Sequence, residues 1–204
     1  MSLLSRTDSM QLRKEGRVLF IDGRHLSELD LFICRVLDIL QAHFPYVIVS
    51  GYVAILLGRT RSTEDIDILI PICDQPAFIA FHDACIRSGY EFLNAERADG
   101  LLSILSSGSG IRLCEREAFI PNIEIKFIKS ESDEYSFTNR ISVATGGRTF
   151  SISPLEIQIA YKLWLGSQKD IEDAIFIHEI ARDIIDEGLP RLFCSSFGVA
   201  YESA

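Results

Sequence analysis

One stretch, residues 47–70, limits what this chain can fold into more than any other part of the sequence. It predicts a short buried strand, a small-residue turn at Ser50-Gly51, a short helix, a basic turn and a second strand. In the second strand, Asp65 and Asp67 alternate with isoleucines, so both carboxylates lie on one face. Their Cα atoms are then about 6.5–7 Å apart, which allows both side chains to converge on one cation.

The two aspartates have a simpler explanation as well, because they can be the solvated face of a strand. Aspartate is depleted in strands, however, and two carboxylates on one face repel each other unless something neutralises them. Mg²⁺, which prefers oxygen ligands, does so directly. The Ser50-Gly51 turn adds backbone N–H groups and a helix start where a phosphate can rest, although Gly51 also suits any tight turn.

This pattern resembles the signature of the nucleotidyltransferase superfamily, which is a Gly-Gly or Gly-Ser turn, a short helix and an hDhDh strand. Residues 61–67 are most similar to the minimal, AbiEii-like branch, where a basic R-x-T-x-D-h-D segment follows the helix. One difference is that Ser50 stands where the family usually has a glycine. The resemblance implies a Mg²⁺-dependent enzyme that transfers a nucleoside monophosphate from an NTP to a hydroxyl group by a two-metal mechanism.

The resemblance also implies roles for residues between about 47 and 185. Asp65 and Asp67 would bind two Mg²⁺ ions, and Glu124, on the charged face of a later strand, would be the third carboxylate. The alternative for Glu124 is an ordinary outward residue of a half-exposed strand. The residues expected to hold the nucleotide are Ser50, Gly51, Arg59, Arg61, Ser62, Thr63, Lys162, Lys169 and Asp170. Asp170 alone is better explained as the cap of a helix.

Local patterns predict helices and strands along the rest of the chain. We expect helices over residues 27–43, 75–88, 154–166 and 169–185. We expect an edge strand over 17–22, strands over 90–93, 101–105, 111–114 and 122–128, and a hairpin over 141–153. Residues 106–110 are expected to form a flexible hairpin turn, residues 131–134 a solvated turn, and residues 191–204 a short terminal segment of no clear role.

The predicted fold class is therefore α/β (α+β), a mixed β-sheet core flanked by helices. We expect residues 1–150 to form the core and residues 151–204 a helical segment packed on it. No apolar run reaches the ~20 residues of a membrane span. The five cysteines form no C-x-x-C pair, which favours reduced thiols in a cytoplasmic protein. The net charge of −9 argues against a broad nucleic-acid-binding face.

Two classes of function remain open for such a chain. The first is the enzyme, whose acceptor can be a tRNA 3′ end, a protein hydroxyl or a small molecule. The second is a non-catalytic protein on the same fold, a regulator or an antitoxin-like partner in a toxin–antitoxin pair, that binds a nucleotide or a second protein without turnover. A metal-dependent phosphohydrolase is disfavoured because it needs histidines or further carboxylates that the sequence does not place.

Overall fold

A nine-stranded mixed sheet with helices packed against it organises this computed structural model, which describes residues 10–201. The strands are β1 (Gln11–Glu15), β2 (Val18–Asp22), β3 (Val47–Val49), β4 (Asp65–Ile70), β5 (Tyr90–Phe92), β6 (Ile111–Glu115), β7 (Asn122–Phe127), β8 (Ile141–Thr145) and β9 (Arg148–Ile152). The helices are α1 (Glu28–Leu40), α2 (Gly51–Leu56), α3 (Gln75–Arg87), α4 (Ala98–Ser107), α5 (Glu131–Thr138), α6 (Leu155–Leu165), α7 (Gln168–Ala181) and α8 (Gly188–Phe197). The predicted mixed α/β class is confirmed.

The sheet order is β1-β2-β8-β9-β3-β4-β7-β6-β5, with β4 and β7 near its centre. These two strands are parallel and pair along six residues, from Asp65 opposite Asn122 to Ile70 opposite Phe127. Because the isoleucines of both strands are buried on the other face, the register brings Asp67 directly beside Glu124.

The β1–β2 and β8–β9 hairpins extend the sheet on one side of β3. They join the central strands at a single register pair, Ile48 of β3 with Ile152 of β9, and a neighbouring bond from the Ser153 amide to the Ile48 carbonyl. The expectation of an edge strand over residues 17–22 was wrong, because β2 has β1 on one side and β8 on the other. Residues 1–9 of the expected core (1–150) and residues 202–204 of the expected helical segment (151–204) lie outside the described residues.

Helix α1 starts where its sequence predicts. Ser27 accepts a bond from the Asp30 amide, and Asp30 accepts one from the Ser27 amide, which completes a capping box. Asp30 is fully buried, where it also binds Arg24 at 2.8 Å and the Tyr52 hydroxyl of α2. This carboxylate therefore ties the start of α1 to the helix that follows β3.

Three segments differ from the expected conformations. Residues 101–105 are not a strand but part of α4, whose buried Leu101 and Leu105 lie four residues apart on one helix face. Residues 106–110 are not a hairpin turn, because α4 ends there with Gly108 in the left-handed conformation at φ 101°. Residues 131–134 begin α5 rather than a turn, since Ser130 and Asp133 form a second capping box.

The C-terminal helices pack on one another, and α7 also packs on α2. Helix α6 follows β9 directly and contacts both α7 and α8. Part of the terminal segment that was expected to have no clear role is helical, because residues 191–197 continue α8 and bury Cys194. Pro190 lies in the first turn of α8, where a missing N–H is tolerated.

Two further properties concern the described residues as a whole. The five cysteines are free thiols, and all but Cys73 are buried. Between residues 10 and 201, every helix is too short or too polar to cross a lipid bilayer.

Candidate active site

The carboxylates of the two central strands share a lysine. Lys126 lies on β7 two residues after Glu124, on the same face, and its Nζ is 3.0 Å from Oδ1 of Asp67 and 2.5 Å from Oε2 of Glu124. Both carboxylate side chains are mostly buried, at 19% and 17% exposure, whereas Lys126 is 37% exposed. The ammonium group thus neutralises part of the repulsion that the register creates between Asp67 and Glu124.

Burial and charge act in opposite directions on this cluster. Burial raises the pKa of Asp67, and the Glu124 carboxylate raises it further, so that the contact with Lys126 offsets only part of the increase. Burial lowers the pKa of Lys126, but the two carboxylates outweigh it and raise the pKa of the ammonium group overall. Lys126 is therefore a permanent cation at neutral pH.

A cavity of about 290 Å³ opens beside Asp67 and collects residues from distant parts of the chain. Except for Leu165, its lining consists of residues predicted from the sequence: Ser50, Gly51, Arg61, Thr63, Asp65, Asp67, Lys162, Lys169 and Asp170. Acidic groups from β4 and basic groups from α6 and α7 thus face one space. The cavity is suited to a ligand that carries negative charge and a bound cation.

The basic wall of this cavity is held by one buried carboxylate, Asp173 of α7. Asp173 is fully buried and binds Arg59, Arg61 and Lys162, the last at 3.0 Å. Arg59 also binds Glu172 at 2.7 Å and does not line the cavity. The Arg59 guanidinium therefore connects the basic turn, residues 59–61, to α7.

The two predicted lysines differ in availability. Lys162 is 2% exposed, and its Nζ lies 2.7 Å from Asp170 as well as 3.0 Å from Asp173. Burial raises the pKa of Asp170, but the bonds from Lys162 and Ser167 lower it overall. Lys169 is exposed at the cavity rim and makes no ion pair within residues 10–201. Lys169 is thus the cation with the freer side chain.

Two other predicted residues lie elsewhere. Ser62 is exposed and lines a separate groove beside α1, so the fold does not bring it to the cavity. Glu124 faces Lys126 and is absent from the cavity lining. Thr63 does line the cavity, and its hydroxyl donates to the Asp65 carbonyl at 2.8 Å, which fixes the start of β4.

The Ser50-Gly51 turn is unusual in its backbone. Ser50 has φ 63° and ψ −138°, a region that glycine adopts far more readily than serine. This conformation explains why a family pattern would place glycine here. A Cβ on Gly51 would lie 2.9 Å from the Arg61 guanidinium, so Gly51 allows Arg61 to pack against the turn. Helix α2 has only six residues.

Sequence reasoning left three residues out of the site. Lys126 was visible on the charged face of β7, but its contact with Asp67 depends on the β4–β7 register. Asp173 matched the branch pattern without an assigned contact, and it proves to be the common partner of the basic residues. Gln158, which accepts a bond from the Ser50 amide at 3.0 Å, carries no sequence signal at all.

The donor set fits a metal ion in part. Asp65 and Asp67 both face the cavity and offer the oxygen ligands that Mg²⁺ prefers. Glu124 is instead bound to Lys126. Over residues 10–201, no group of three or more His, Cys, Asp or Glu side chains comes together closely enough to hold a metal ion. The arrangement therefore fits a cation on the aspartate pair better than a site built from all three carboxylates.

A second cavity, of about 190 Å³, meets the first at Asp67, Ser50 and Leu165. It lies between the sheet, α5 and α6, and is also lined by Lys126 and Tyr161. Polar and aromatic groups therefore continue from the aspartates toward α6.

The fold with this geometry has a known counterpart. The structure resembles the solved structure of the antibiotic-resistance factor ANT(2'')-Ia, with a TM-score of 0.51, 13% sequence identity, and coverage of 82% of this chain and 90% of that chain. The chain has the nucleotidyltransferase fold. At this identity the similarity establishes the fold alone, and that fold is the one expected from residues 47–70.

Two further solved structures are similar to this nucleotidyltransferase fold. One is an antigenic nucleotidyltransferase-like protein from Paracoccidioides brasiliensis, at 16% identity and a TM-score of 0.48 over 74% of each chain. The other is the lincosamide antibiotic adenylyltransferase LnuA with lincomycin bound, at 17% identity and a TM-score of 0.45 over 77% of this chain and 99% of that chain. No protein-family model matches the sequence, and no curated protein matches it. The AbiEii-like branch stays a prediction.

Proposed function

We propose that the chain is a nucleotidyltransferase, an enzyme that transfers a nucleoside monophosphate from an NTP to a hydroxyl acceptor with the help of Mg²⁺. The observation that carries the proposal is the cavity beside Asp67. It gathers the paired aspartates of β4, the Ser50-Gly51 turn and the lysines of α6 and α7 on the fold of known nucleotidyltransferases. Such an arrangement supports the recognition of a metal-bound triphosphate.

The parts of the site divide the work by charge. Asp65 and Asp67 would hold Mg²⁺, which when bound supplies charge neutralisation to the phosphates and lowers the pKa of a coordinated hydroxyl. The resemblance implies two such ions. In this structure Glu124, the third carboxylate of the implied site, is bound to Lys126. Lys169 at the rim would bind the outer phosphates, while Arg61 and Lys162, both held by Asp173, would present fixed N–H donors along the wall.

The reaction is an in-line displacement at the α-phosphorus. A bond forms between the acceptor oxygen and the α-phosphorus, and the bond from this phosphorus to the oxygen bridging to the β-phosphorus breaks. Pyrophosphate leaves, and the proton of the acceptor hydroxyl is released to water. Because the protein forms no covalent intermediate, positioning and charge stabilisation account for catalysis. The second cavity, next to Tyr161, offers space for the rest of a substrate; the acceptor class, an RNA end, a protein or a small molecule, is left open.

The second candidate function is a non-catalytic binding protein, including an antitoxin-like partner. The contact between Lys126 and both Asp67 and Glu124 favours it, since an ammonium group lies where a metal-dependent enzyme would gather its carboxylates. The paired aspartates and the free Lys169 favour the enzyme, because a protein that only binds a partner has no need of them.

Isothermal titration of the four NTPs in the presence of Mg²⁺, followed by an assay of label transfer, distinguishes the two candidates. The wild type is compared with Asp65→Asn/Asp67→Asn and with a control, Asp83→Asn/Asp99→Asn, which removes the same charge from two exposed positions. We expect metal-dependent binding of at least one NTP by the wild type and the control, and its loss in the site variant. Transfer of label from the α-phosphate of that NTP to RNA, protein or small-molecule fractions then identifies the acceptor class.

Two results would decide against the enzyme. Absence of NTP binding by the folded wild type would favour the binding protein. Binding that survives the site variant unchanged would place the nucleotide elsewhere. Thermal melts of all three proteins show whether the variants remain folded.

A further inference from the structure

The contacts of Lys126 with Asp67 and Glu124 limit the number of metal ions that the proposed site can bind. Asp65, Asp67 and Glu124 together carry three negative charges, and Lys126 cancels one of them through its contacts with Asp67 and Glu124. The charge that remains at the three carboxylates equals that of one divalent cation. A second divalent ion on the same carboxylates would need Lys126 to leave.

Glu124 is held on the side away from the cavity. A Cβ on Gly110 would lie 2.8 Å from its Cγ, so the glycine backbone packs closely against the glutamate side chain. Arg112 of β6 lies 3.8 Å from Oε1, and the Lys126 ammonium binds Oε2. Both carboxylate oxygens thus have a cationic neighbour, and there is little room for the side chain to turn.

We propose that Lys126 is a resident cation that takes the place of one of the two metal ions expected at such a site. Glu124 is then a positioning residue that holds Lys126 and binds no metal. Asp65 and Asp67 take a single divalent ion, which enters with the triphosphate on the cavity side. This inference rests on the proposed function, because it concerns the metal that accompanies the nucleotide.

The arrangement has a chemical consequence for the reaction centre. A lysine ammonium is a fixed single charge that exchanges no ligands, whereas a bound Mg²⁺ ion can also coordinate a hydroxyl and lower its pKa. With Lys126 in place, Asp67 accepts a bond from the ammonium at Oδ1, and Oδ2 would be the oxygen left for a metal ion. The metal-bound state therefore requires no movement of β7.

Counting bound ions tests the proposal directly. Mn²⁺ is titrated into the full chain with a non-hydrolysable NTP analogue, and free Mn²⁺ is measured by electron paramagnetic resonance. We expect one Mn²⁺ per chain in the wild type and two in Lys126→Met, because the freed Asp67 and Glu124 then form a second site. The matched control is Lys129→Met, which removes the same charge three residues further on, at a lysine that contacts the Gly108 carbonyl. It should bind one.

A second variant keeps the test decisive if Lys126→Met does not fold. Glu124→Gln keeps the side-chain size and should still bind one Mn²⁺, whereas a glutamate shared between two ions would make the ion count fall on this substitution. Two Mn²⁺ per chain in the wild type, or one in a folded Lys126→Met, would overturn the proposal and leave the nucleotidyltransferase assignment intact. Failure of the wild type to bind the nucleotide analogue with Mn²⁺ at all would instead refute the proposed function.

Discussion

Removal of the Asp173 charge is the sharpest test of how the basic wall of the cavity is built. The side chain is fully buried and binds Arg59, Arg61 and Lys162. Asp173→Asn keeps the volume but leaves three cations without their common counter-charge. Breaking a buried ion pair from one side costs about 3–5 kcal/mol. Against a typical total stability of about 5–15 kcal/mol, this is a large fraction.

Glu172 provides the matched control on the same helix. It binds Arg59 at 2.7 Å but is 49% exposed, so Glu172→Gln should cost only about 0–1 kcal/mol. Urea unfolding at pH 7 measures both free energies of unfolding. For a chain of this size, the Asp173 variant should also melt about 6–20 °C lower, from roughly 2–4 °C per kcal/mol. If the two variants differ by less than about 1 kcal/mol, the idea that Asp173 organises the wall is wrong.

Two further predictions concern single residues. Ser50→Gly should stabilise the protein by about 1 kcal/mol in urea unfolding, since relief of about 1–3 kcal/mol of backbone strain exceeds the greater freedom of glycine in the unfolded chain; a loss of stability would show that the serine is unstrained. Burial raises the pKa of Asp30, but bonds from Arg24, Tyr52 and Ser27 lower it overall, below its ordinary 3.8. The stability that Asp30 contributes is therefore complete above that pH and is lost as the pH falls through its folded pKa. Acid unfolding followed by circular dichroism should be less steep below pH 3.8 in Asp30→Asn, and an unchanged curve would contradict this.

The central strands were predictable because their pattern is local. Period-two alternation in residues 65–70 and 122–128 separates buried isoleucines from charged residues, and burial of one face leaves little choice of orientation. The capping box at Ser27 and Asp30 fixed the start of α1 in the same way. Each of these signals lies within a few consecutive residues.

The errors came from segments where local signals conflict or are weak. The run 101–105 is as apolar as a short buried strand, and only its packing on α3 and the sheet selects the helix. Residues 131–138 have almost no apolar periodicity, so α5 depends on its cap and its acidic first turn. Neither helix could be separated from its alternative by counting hydrophobic residues.

The contacts of the site were the least predictable part. Asp173 lies more than a hundred residues from Arg59 and Arg61 in sequence, and it meets them only because α7 packs on α2. Lys126 meets Asp67 only because β4 and β7 pair in parallel with this register. The sequence could assign residue types to the site, but the partners of each charge are set by tertiary packing.

Because β3 and β9 share a single register pair, few backbone hydrogen bonds connect the two parts of the sheet on either side of this boundary. Asp65 and Asp67 lie in the part that contains β4, whereas α6, with Lys162, follows β9 of the other part. The cavity that a triphosphate would occupy is therefore lined by residues from both sides of the β3–β9 boundary. Side chains connect the two parts in addition to these backbone bonds, among them Tyr52 packed against Phe150 and Gln158 bound to the Ser50 amide. Substitution of Tyr52, Phe150 or Gln158 would therefore change the shape of the cavity through the relative orientation of the two parts, without altering a charged group of the cavity.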